Sequence, residues 1–476
     1  MQSFHNGRVV LHSGDCLVVL AAMADDSVDS VVCDPPYHLT SIVKRFGQTS
    51  QLDETHTSDR ARRGADGMAR LSRGFMGKQW DGGDIAFRVE LWAQVLRVLK
   101  PGGHLVAFSG TRTYHRMACA IEDAGFEMRD MLQWLYGSGF PKSHDVSKAI
   151  DKAAGAEREV VGHREINGSL AAMSGLSATH PSGNKENYWT GRLLGGPATD
   201  AAREWQGWGT ALKPACEPIA FARKPLSEKT VAANVLAHGT GAINVDACRV
   251  ATDEDNRRPS SGGENGLTGT STFKIRARTV EEKPEGLGRW PANIIHDGSD
   301  EVVSAFPDTH SAGHERPHTP GGNYDGSTGI GFGGIGVGDK GFRYGDNGGS
   351  AARFFYSAKA DAEDRIGSKH PTVKPVDLMR WLCRLVTPKG GTVLDMFAGT
   401  GTTGAAAYLE GFNAVLIERE PEYQADIARR MALLLAGPDE KARESLKARG
   451  KAEGHDDLPL FIPTPAPKAK QESFLP

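Results

Sequence analysis

Short apolar runs rich in β-branched residues recur along the chain, and each is followed by a polar or glycine-rich turn. Residues 28–33 and 392–396 are two such runs. Continuous apolar runs of this kind are typical of strands buried on both faces of a parallel sheet. Between them, residues 87–99 carry the apolar spacing of a helix, which a Pro-Gly-Gly stop ends before a strand at 105–108. This alternation predicts an α/β fold with a mostly parallel sheet.

Composition narrows the class of protein further. With 476 residues and 39% hydrophobic content, the chain can bury one large core and carry an inserted module. Its six cysteines are scattered without a C-x-x-C pair or zinc-ligand spacing, which predicts reduced thiols and no metal site. No apolar stretch has membrane-spanning length, and no signal-peptide pattern is present. We therefore expect a cytoplasmic protein with no membrane partner.

Two short strings carry the candidate chemistry. The tetrapeptide Asp34-Pro35-Pro36-Tyr37 directly follows the first predicted strand, and the glycine loop 397–403 directly follows the second. In open α/β sheets, ligands bind at the carboxyl ends of the strands, where the strand order reverses. If the two strands are neighbours, a cofactor on the glycine loop would face a substrate amine held by Asp34. That arrangement is the geometry that a transferase needs.

The tetrapeptide is suited to activating an exocyclic amine. Such an amine is a poor nucleophile because its lone pair is delocalised into the ring, and two acceptors aimed at its hydrogens help to localise that pair. Asp34 supplies one acceptor and the Pro35 carbonyl the other, while the fixed φ of the prolines holds them still. Tyr37 offers a stacking surface for a base. Taken alone, the tetrapeptide also fits an ordinary strand-to-turn segment capped by an aspartate.

The glycine loop by itself leaves two interpretations open. Gly399, Gly401 and Gly404 satisfy the dinucleotide fingerprint G-x-G-x-x-G, so a nicotinamide site competes with a methyl-donor site. In either case a helix beginning near Thr402 offers N–H groups to an anion. Glu418, at the end of the next apolar run, is placed to accept ribose hydroxyls. The tetrapeptide separates the two interpretations, because a dehydrogenase has no use for it.

Together the two strings resemble those of the amino-DNA methyltransferases, which methylate adenine N6 or cytosine N4 with S-adenosyl-L-methionine. The tetrapeptide precedes the cofactor loop, an order that resembles the β group of the family. The resemblance implies that Asp34 and the Pro35 carbonyl accept hydrogen bonds from the target amine while Tyr37 stacks on the base, in a catalytic motif that includes Pro36. It implies direct methyl transfer, with no covalent enzyme intermediate and no metal.

Further segments match the family in their order along the chain. Asp15 and Cys16 resemble the adenine-binding element, with Asp15 the contact to the cofactor's amino group. The segment 370–375, His-Pro-Thr-Val-Lys-Pro, resembles the element that closes over the methionine end of the cofactor. Asp395 would reach the methionine ammonium. The implied cofactor contacts are Asp15, Cys16, Lys374, Pro375, Asp395, Phe397, Gly399, Gly401, Thr402, Thr403 and Glu418.

The resemblance also implies a fold: a Rossmann-like, seven-stranded, mostly parallel sheet with circularly permuted motif order. Strands at 128–136 and 216–223 would complete it as a hairpin pair. Residues 290–295 and 353–356 are predicted to be either core strands or stacking surfaces. The predicted organisation is a catalytic half at 1–136, an insert at 137–214, a sheet strand at 215–223, a target-recognition insert at 224–357, a cofactor-binding half at 358–436 and a disordered tail at 437–476. The insert at 137–214 is a second candidate for DNA recognition.

The net charge of −3 means that DNA binding must rely on a local patch. The loop after Tyr37 is a candidate because its lysines and arginines outnumber its acids, and residues 74–81 within it resemble the family's loop beside the target base. In the tail, residues 457–461 faintly resemble peptides that dock on the replication sliding clamp. A homodimer is a further open expectation.

We therefore expect a site-specific DNA methyltransferase, of the kind found in restriction-modification systems, that acts on N6 of an adenine flipped out of duplex DNA. An aspartate at position 34 favours adenine, since a serine there is commoner for cytosine N4, which stays open as the alternative. Two other classes also stay open: an RNA methyltransferase and a non-catalytic nucleotide-binding module.

Overall fold

The computed structural model describes residues 1–37, 84–139, 143–165, 190–252, 288–309, 349–358, 362–368, 370, 372–437, 439–441 and 443–444. The basic loop after Tyr37 and the string 457–461 lie outside these ranges. The chain divides into two compact units, one formed by Met1–Gly137 with Cys216–Pro476 and the other by Ser138–Ala215. In the described ranges, no helix is long and apolar enough to cross a membrane.

One large sheet organises the first unit, and a separate two-stranded hairpin belongs to the second. In chain order the strands are β1 (Gln2–Phe4), β2 (Val9–Ser13), β3 (Val28–Cys33), β4 (Leu99–Phe108), β5 (Glu127–Leu135), β6 (Val160–Glu165), β7 (Thr190–Leu194), β8 (Cys216–Arg223), β9 (Ile294–His296), β10 (Tyr356–Ser357), β11 (Thr392–Asp395) and β12 (Asn413–Glu418). The order across the large sheet is β1-β2-β12-β11-β3-β4-β8-β5-β9-β10. From β2 to β4 neighbouring strands are parallel, and β8 is antiparallel to both β4 and β5.

The described helices cover the faces of the sheet or belong to the second unit. They are α1 (Cys16–Ala22), α2 (Val89–Val98), α3 (Tyr114–Asp123), α4 (Val146–Ala153), α5 (Asp200–Glu204), α6 (Val231–His238), α7 (Asp300–Val303), α8 (Val376–Val386), α9 (Thr402–Leu409) and α10 (Pro421–Leu433).

The central strand β3 is mostly apolar, with Asp29 and Ser30 as its polar residues. All six of its residues are buried. Successive strand residues point to opposite faces. Val31 belongs to the same core cluster as Trp92 of α2, and Val32 belongs to the other core cluster, with Trp381 of α8. The sheet is therefore the middle layer of a helix-sheet-helix sandwich, as expected for a parallel sheet.

The predicted fold class is confirmed. The seven strands of the Rossmann-like sheet run in the order β2-β12-β11-β3-β4-β8-β5, with β5 and β8 as the predicted antiparallel pair. Short strands extend the sheet at both edges, β1 on one side and β9 with β10 on the other. Ile295 of β9 is fully buried, so this part of the second predicted insert forms core strand rather than a stacking surface.

The boundary between the helix at 87–99 and the strand at 105–108 was predicted wrongly. Helix α2 ends at Val98, and β4 begins at Leu99, which pairs with Val28. The Pro-Gly-Gly segment is a bulge inside β4, after which pairing resumes between Ser30 and His104. Gly102 adopts φ +79, a left-handed conformation that glycine accepts readily.

The second unit, Ser138–Ala215, has its own buried polar centre. Helices α4 and α5 pack together, and Asp151 on α4 is 2% exposed. Its carboxylate accepts hydrogen bonds from Arg158 Nε at 2.6 Å, Thr199 Oγ1 at 2.8 Å and Ala198 N at 3.1 Å. The insert predicted at 137–214 falls on this unit, and its part in DNA recognition stays a prediction.

Candidate active site

A row of four carboxylates follows the carboxyl ends of four neighbouring parallel strands. Glu418 ends β12, Asp395 ends β11, Asp34 follows β3 and Asp15 lies just beyond β2. Since neighbouring strands are about 4.8 Å apart, the row spans roughly 14 Å from Asp15 to Asp34. The four residues lie far apart in sequence, and the strand order β2-β12-β11-β3 places them side by side.

Asp34 is the centre of a hydrogen-bonded cluster at one end of the row. Its Oδ1 accepts from the Tyr37 hydroxyl at 2.9 Å, and its Oδ2 accepts from Lys374 Nζ at 2.7 Å. Glu217, at the start of β8, lies 3.0 Å from both the Tyr37 hydroxyl and Lys374 Nζ through its Oε2. Lys374 Nζ also lies 4.7 Å from the centre of the Phe108 ring.

The charges in this cluster stabilise one another. Burial alone would lower the pKa of Lys374, but the carboxylates of Asp34 and Glu217 outweigh it and hold that pKa above its ordinary value. Burial, together with the same two carboxylates, raises the pKa of the Tyr37 hydroxyl well above its usual range. The cluster is therefore two carboxylates, one ammonium and a neutral phenol, with a net charge of about −1 at neutral pH.

The backbone of the tetrapeptide is fixed from the neighbouring strand. Thr113, just before α3, donates from its Oγ1 to the Tyr37 carbonyl at 3.0 Å. Gly110, after β4, comes so close that a Cβ there would lie 3.3 Å from Tyr37 Cδ2. Pro35 is buried and Asp34 is partly accessible, with 22% of its side chain exposed, so a ligand can reach the carboxylate.

The glycine loop forms a tight turn at the other side of Asp395. Gly399 has φ +51 and Gly401 has φ +78, and a Cβ on Gly401 would lie 3.0 Å from Ile427 Cγ1. Gly401 precedes the first residue of α9, which begins at Thr402 as predicted. The loop therefore brings backbone N–H groups at a helix start next to the carboxylate row, where a side chain would obstruct them.

Asp395 and Glu418 are buried acids with raised pKa values. Burial raises the pKa of each to about 7, although hydrogen bonds oppose the effect. Asp395 accepts from Thr403 Oγ1 at 2.5 Å and from Phe397 N at 3.0 Å, and Glu418 accepts from Gly399 N at 2.8 Å. A buried carboxylate is stabilised by a cation or by hydroxyl donors. The pair therefore fits a ligand that carries an ammonium and a ribose diol, as S-adenosyl-L-methionine does.

The Asp15 end of the row is built from the start of α1. Asp15 caps this helix through its Oδ1, which accepts from Leu17 N at 2.9 Å, and its side chain is exposed. Gly14 N donates to the Glu418 carbonyl at 3.1 Å, which ties this turn to β12. Cys16 is buried, and burial raises the pKa of its thiol to about 11, so it is a packing thiol beside the site.

The segment 370–375 reaches both halves of the site. His370 packs against the glycine loop, with its Nε2 3.5 Å from the Cβ position of Gly399. Lys374 extends to Asp34, and Pro375 caps the start of α8. The structure thus places Lys374 in contact with Asp34 of the tetrapeptide, whereas the family resemblance implied that Lys374 contacts the cofactor. Sequence reasoning missed Glu217 altogether, since an acid at the start of a predicted strand carries no local signal.

Fold and site together define a methyltransferase that uses S-adenosyl-L-methionine. The family model for N6/N4 methyltransferases, described as "DNA methylase", matches residues 28–429, and the chain belongs to that family. It is therefore a DNA methyltransferase of the adenine-N6 or cytosine-N4 type, as the resemblance of the motifs predicted.

Individual relatives agree with this family. The Type II methyltransferase M.HindIII of Haemophilus influenzae is 23% identical over 300 residues, which cover 60% of this chain and 77% of that protein. The Type II methyltransferase M.BglI of Bacillus subtilis is 46% identical over 59 residues, 12% of this chain and 17% of that protein. Among solved structures, the cytosine-N4-specific PvuII DNA methyltransferase aligns over 94% of both chains with 12% identity and a TM-score of 0.40. The M1.HpyAVI complex with S-adenosyl-L-methionine aligns over 88% of this chain and 98% of that one, with 14% identity and a TM-score of 0.33.

Proposed function

We propose that this DNA methyltransferase is site-specific and methylates N6 of an adenine flipped out of duplex DNA. The observation that carries the proposal is the position of Asp34, one strand away from Asp395 and the glycine loop. A base amine on Asp34 and a methyl donor on the loop would then be adjacent. Cytosine N4 is the alternative target, and the aspartate at position 34 is the reason for preferring adenine.

The tetrapeptide acts on the amine through its acceptors. Asp34 Oδ1 and the Pro35 carbonyl accept the two amine hydrogens, which draws the nitrogen lone pair out of the ring and towards the methyl group. As the nitrogen–methyl bond forms, the bond from that methyl group to sulfur would break and leave a neutral thioether, and the amine would lose one hydrogen as a proton along its hydrogen bond to Asp34. Oδ1 now accepts from the Tyr37 hydroxyl, so Tyr37 must turn away for the base to bind. The same turn places its ring to stack on the base, and Pro36 limits the backbone conformations available to it.

The row of carboxylates and the glycine loop hold the methyl donor. S-adenosyl-L-methionine, when bound, supplies an electrophilic methyl group on its sulfonium. Asp395 would pair with the methionine ammonium, Glu418 would accept the ribose hydroxyls, and Asp15 would contact the adenine amino group beside Cys16. The remaining contacts are assigned to Pro375, Phe397, Gly399, Gly401, Thr402 and Thr403, the last four lining the loop and the start of α9.

Mass spectrometry of nucleosides tests this function. Unmethylated plasmid DNA is incubated with the protein and S-adenosyl-L-methionine, then digested to nucleosides. N6-methyladenine is the expected product; N4-methylcytosine would reject the adenine assignment while keeping the mechanism. Methylation of RNA but not of DNA would reject the proposal. Asp34→Ala is the control, expected to bind S-adenosyl-L-methionine normally and to lose methylation, and wild-type rates in that variant would refute the assigned chemistry.

A further inference from the structure

Lys374 presents its ammonium to the substrate side of the site. Its side chain is 5% exposed, and Nζ contacts Asp34 Oδ2 at 2.7 Å, Glu217 Oε2 at 3.0 Å and the Tyr37 hydroxyl at 3.2 Å. An ammonium has three N–H donors. Two of them meet carboxylates, and the third points to the hydroxyl that must move when a base binds.

The hydrogen-bonding pattern of the Tyr37 hydroxyl indicates what takes its place. That hydroxyl has two carboxylate acceptors, Asp34 Oδ1 at 2.9 Å and Glu217 Oε2 at 3.0 Å, and it accepts from Lys374. The target edge of adenine or cytosine has the same pattern, an amine that donates next to a ring nitrogen that accepts. An acceptor and a donor held side by side, as Asp34 and Lys374 are, match that edge with two hydrogen bonds. Thymine and guanine present a carbonyl next to a ring N–H, which reverses the pattern.

We propose that Lys374 is a base-contacting residue that donates a hydrogen bond to the ring nitrogen beside the target amine, and that Glu217 is the positioning residue that holds it there. The inference rests on the proposed function and assigns the base edge that the site reads. Glu217 also balances charge. A positive charge develops on the amine during transfer, and a lone ammonium beside it would be repulsive. The carboxylates of Asp34 and Glu217 lie 2.7 and 3.0 Å from the Lys374 ammonium, so the ammonium is not left unpaired beside that charge.

A base analogue tests the contact directly. Two DNA duplexes are compared that differ only in the target base. One carries the natural base, and the other carries an analogue in which C–H replaces the ring nitrogen beside the target amine. The analogue is 1-deazaadenine, or 3-deazacytosine if cytosine is the target. Single-turnover methylation rates are measured at saturating S-adenosyl-L-methionine. For each variant, the rate on the natural base is divided by the rate on the analogue, and this quotient is the ratio of natural base to analogue. Any change in the intrinsic reactivity of the amine is common to all variants and cancels between them.

Lys374→Met is the test variant, and Lys389→Met is its matched control, since Lys389 is an exposed lysine beyond α8. Loss of a charge-assisted hydrogen bond should lower the Lys374→Met rate on the natural base about 10- to 100-fold and lower the ratio by a similar factor. Lys389→Met should keep both wild-type values. A Lys374→Met ratio equal to that of the wild type would overturn the inference.

Cofactor affinity separates this role from the one that the sequence suggested. Titration calorimetry with S-adenosyl-L-methionine should give Lys374→Met a Kd within about twofold of the wild type. A Kd raised about tenfold or more, with an unchanged rate at saturating cofactor, would assign Lys374 to the cofactor and overturn the inference. If the wild type methylates no DNA, the proposed function fails. If the wild type methylates DNA but Lys374→Met keeps the wild-type ratio, the inference alone fails, so the two failures are distinguishable.

Glu217 is tested with two variants that differ in what they retain. Glu217→Gln keeps an acceptor but loses the charge, and Glu217→Met loses both. The ratio of natural base to analogue should fall in the order wild type, Glu217→Gln, Glu217→Met, with unchanged affinity for S-adenosyl-L-methionine. A merely structural residue would lower stability without moving this ratio. Wild-type ratios in both variants would overturn the role assigned to Glu217.

Discussion

Asp395 combines nearly complete burial with a pKa of about 7, so its charge changes within the physiological pH range. It is the proposed partner of the methionine ammonium. An ammonium pairs with the ionised carboxylate only, so a protonated Asp395 must lose its proton before the ion pair forms. Cofactor binding and proton release are therefore linked at this residue.

The first prediction is a pH dependence of cofactor affinity. Because the pKa of Asp395 is raised in the free protein, affinity should be constant above about pH 7 and weaken below it, by up to about tenfold per pH unit. Calorimetric Kd values for S-adenosyl-L-methionine across that range measure the slope. Asp395→Asn should bind more weakly and show a smaller slope, with a remainder from Glu418, whose pKa is also about 7. A wild-type Kd independent of pH would contradict the assignment.

The second prediction separates the two functional parts of Tyr37. Its hydroxyl occupies Asp34 in this structure, whereas its ring is the proposed stacking surface. Tyr37→Phe should therefore keep methylation close to the wild-type rate, and Tyr37→Ala should lower kcat/KM about 10- to 100-fold, because base stacking contributes about 1–3 kcal/mol. Single-turnover methylation of duplex DNA measures both. A Tyr37→Phe variant as defective as Tyr37→Ala would show that the hydroxyl, rather than the ring, is needed.

Residues of the site could be predicted where their signal is local in sequence. Two contiguous motifs contain Asp34, Tyr37 and the glycines of the loop, and the residue types in each motif indicate what it binds. Glu217 could not be predicted, because it reaches Tyr37 across 180 positions of sequence through the antiparallel pairing of β8. Lys374 was identified as a site residue, but which half of the site its long side chain enters depends on tertiary packing.

At the scale of elements, α9 carries a left-handed glycine at each end. Gly401 precedes its first residue with φ +78, and Gly411 follows its last turn with φ +85. A Cβ on Gly401 would lie 3.0 Å from Ile427 Cγ1, whereas one on Gly411 would meet nothing within 4 Å. The two positions thus share the backbone conformation and differ in their surroundings, so one is a matched control for the other.

The third prediction uses this pair. Gly401→Ala and Gly411→Ala should each lose about 1–2 kcal/mol of stability from the left-handed backbone. Gly401→Ala should lose more, because Ile427 must shift, and it should also weaken S-adenosyl-L-methionine binding by deforming the start of α9. Denaturant unfolding and calorimetry measure the two effects. Equal losses of stability, with equal cofactor affinities, would mean that the turn before α9 does not shape the site.

The strands β3, β11 and β12 could be predicted because each lies in a run of mostly apolar residues, and α9 could be predicted because it follows the glycine loop. The start of β4 could not, since a Pro-Gly-Gly segment ordinarily ends regular structure. Tertiary pairing holds this segment, between Leu99 and Val28 and between the two glycines and Lys224. The edge strands β9 and β10 are three and two residues long, too short for a periodic signal. Their position follows from parallel pairing of β9 with β5, a tertiary contact.

At the scale of the whole molecule, the unit Ser138–Ala215 lies in sequence between two strands that pair directly with each other. The strands on either side, β5 and β8, are antiparallel neighbours, and Leu135 pairs directly with Cys216. Paired residues of antiparallel strands have Cα atoms about 5 Å apart, a distance that a short turn can bridge. Among the described residues, the two core clusters of the sheet contain residues of the first unit alone. The buried polar centre of Ser138–Ala215 lies around its own Asp151.

The fourth prediction is that this unit can be excised without losing the cofactor site. Replacing Ser138–Ala215 by an Asn-Gly turn should leave a folded chain that binds S-adenosyl-L-methionine with wild-type affinity, because the proposed cofactor contacts all lie in the first unit. If the unit reads DNA, the excised chain should lose site-specific methylation. Calorimetry and sequencing of methylated plasmid measure the two properties.

Asp151→Ala, which removes the carboxylate bound by Arg158 and Thr199, should reproduce the loss of site-specific methylation within the full-length chain. Wild-type methylation of the same sites by the excised chain would reject a recognition role, and loss of cofactor binding would reject the independence of the two units.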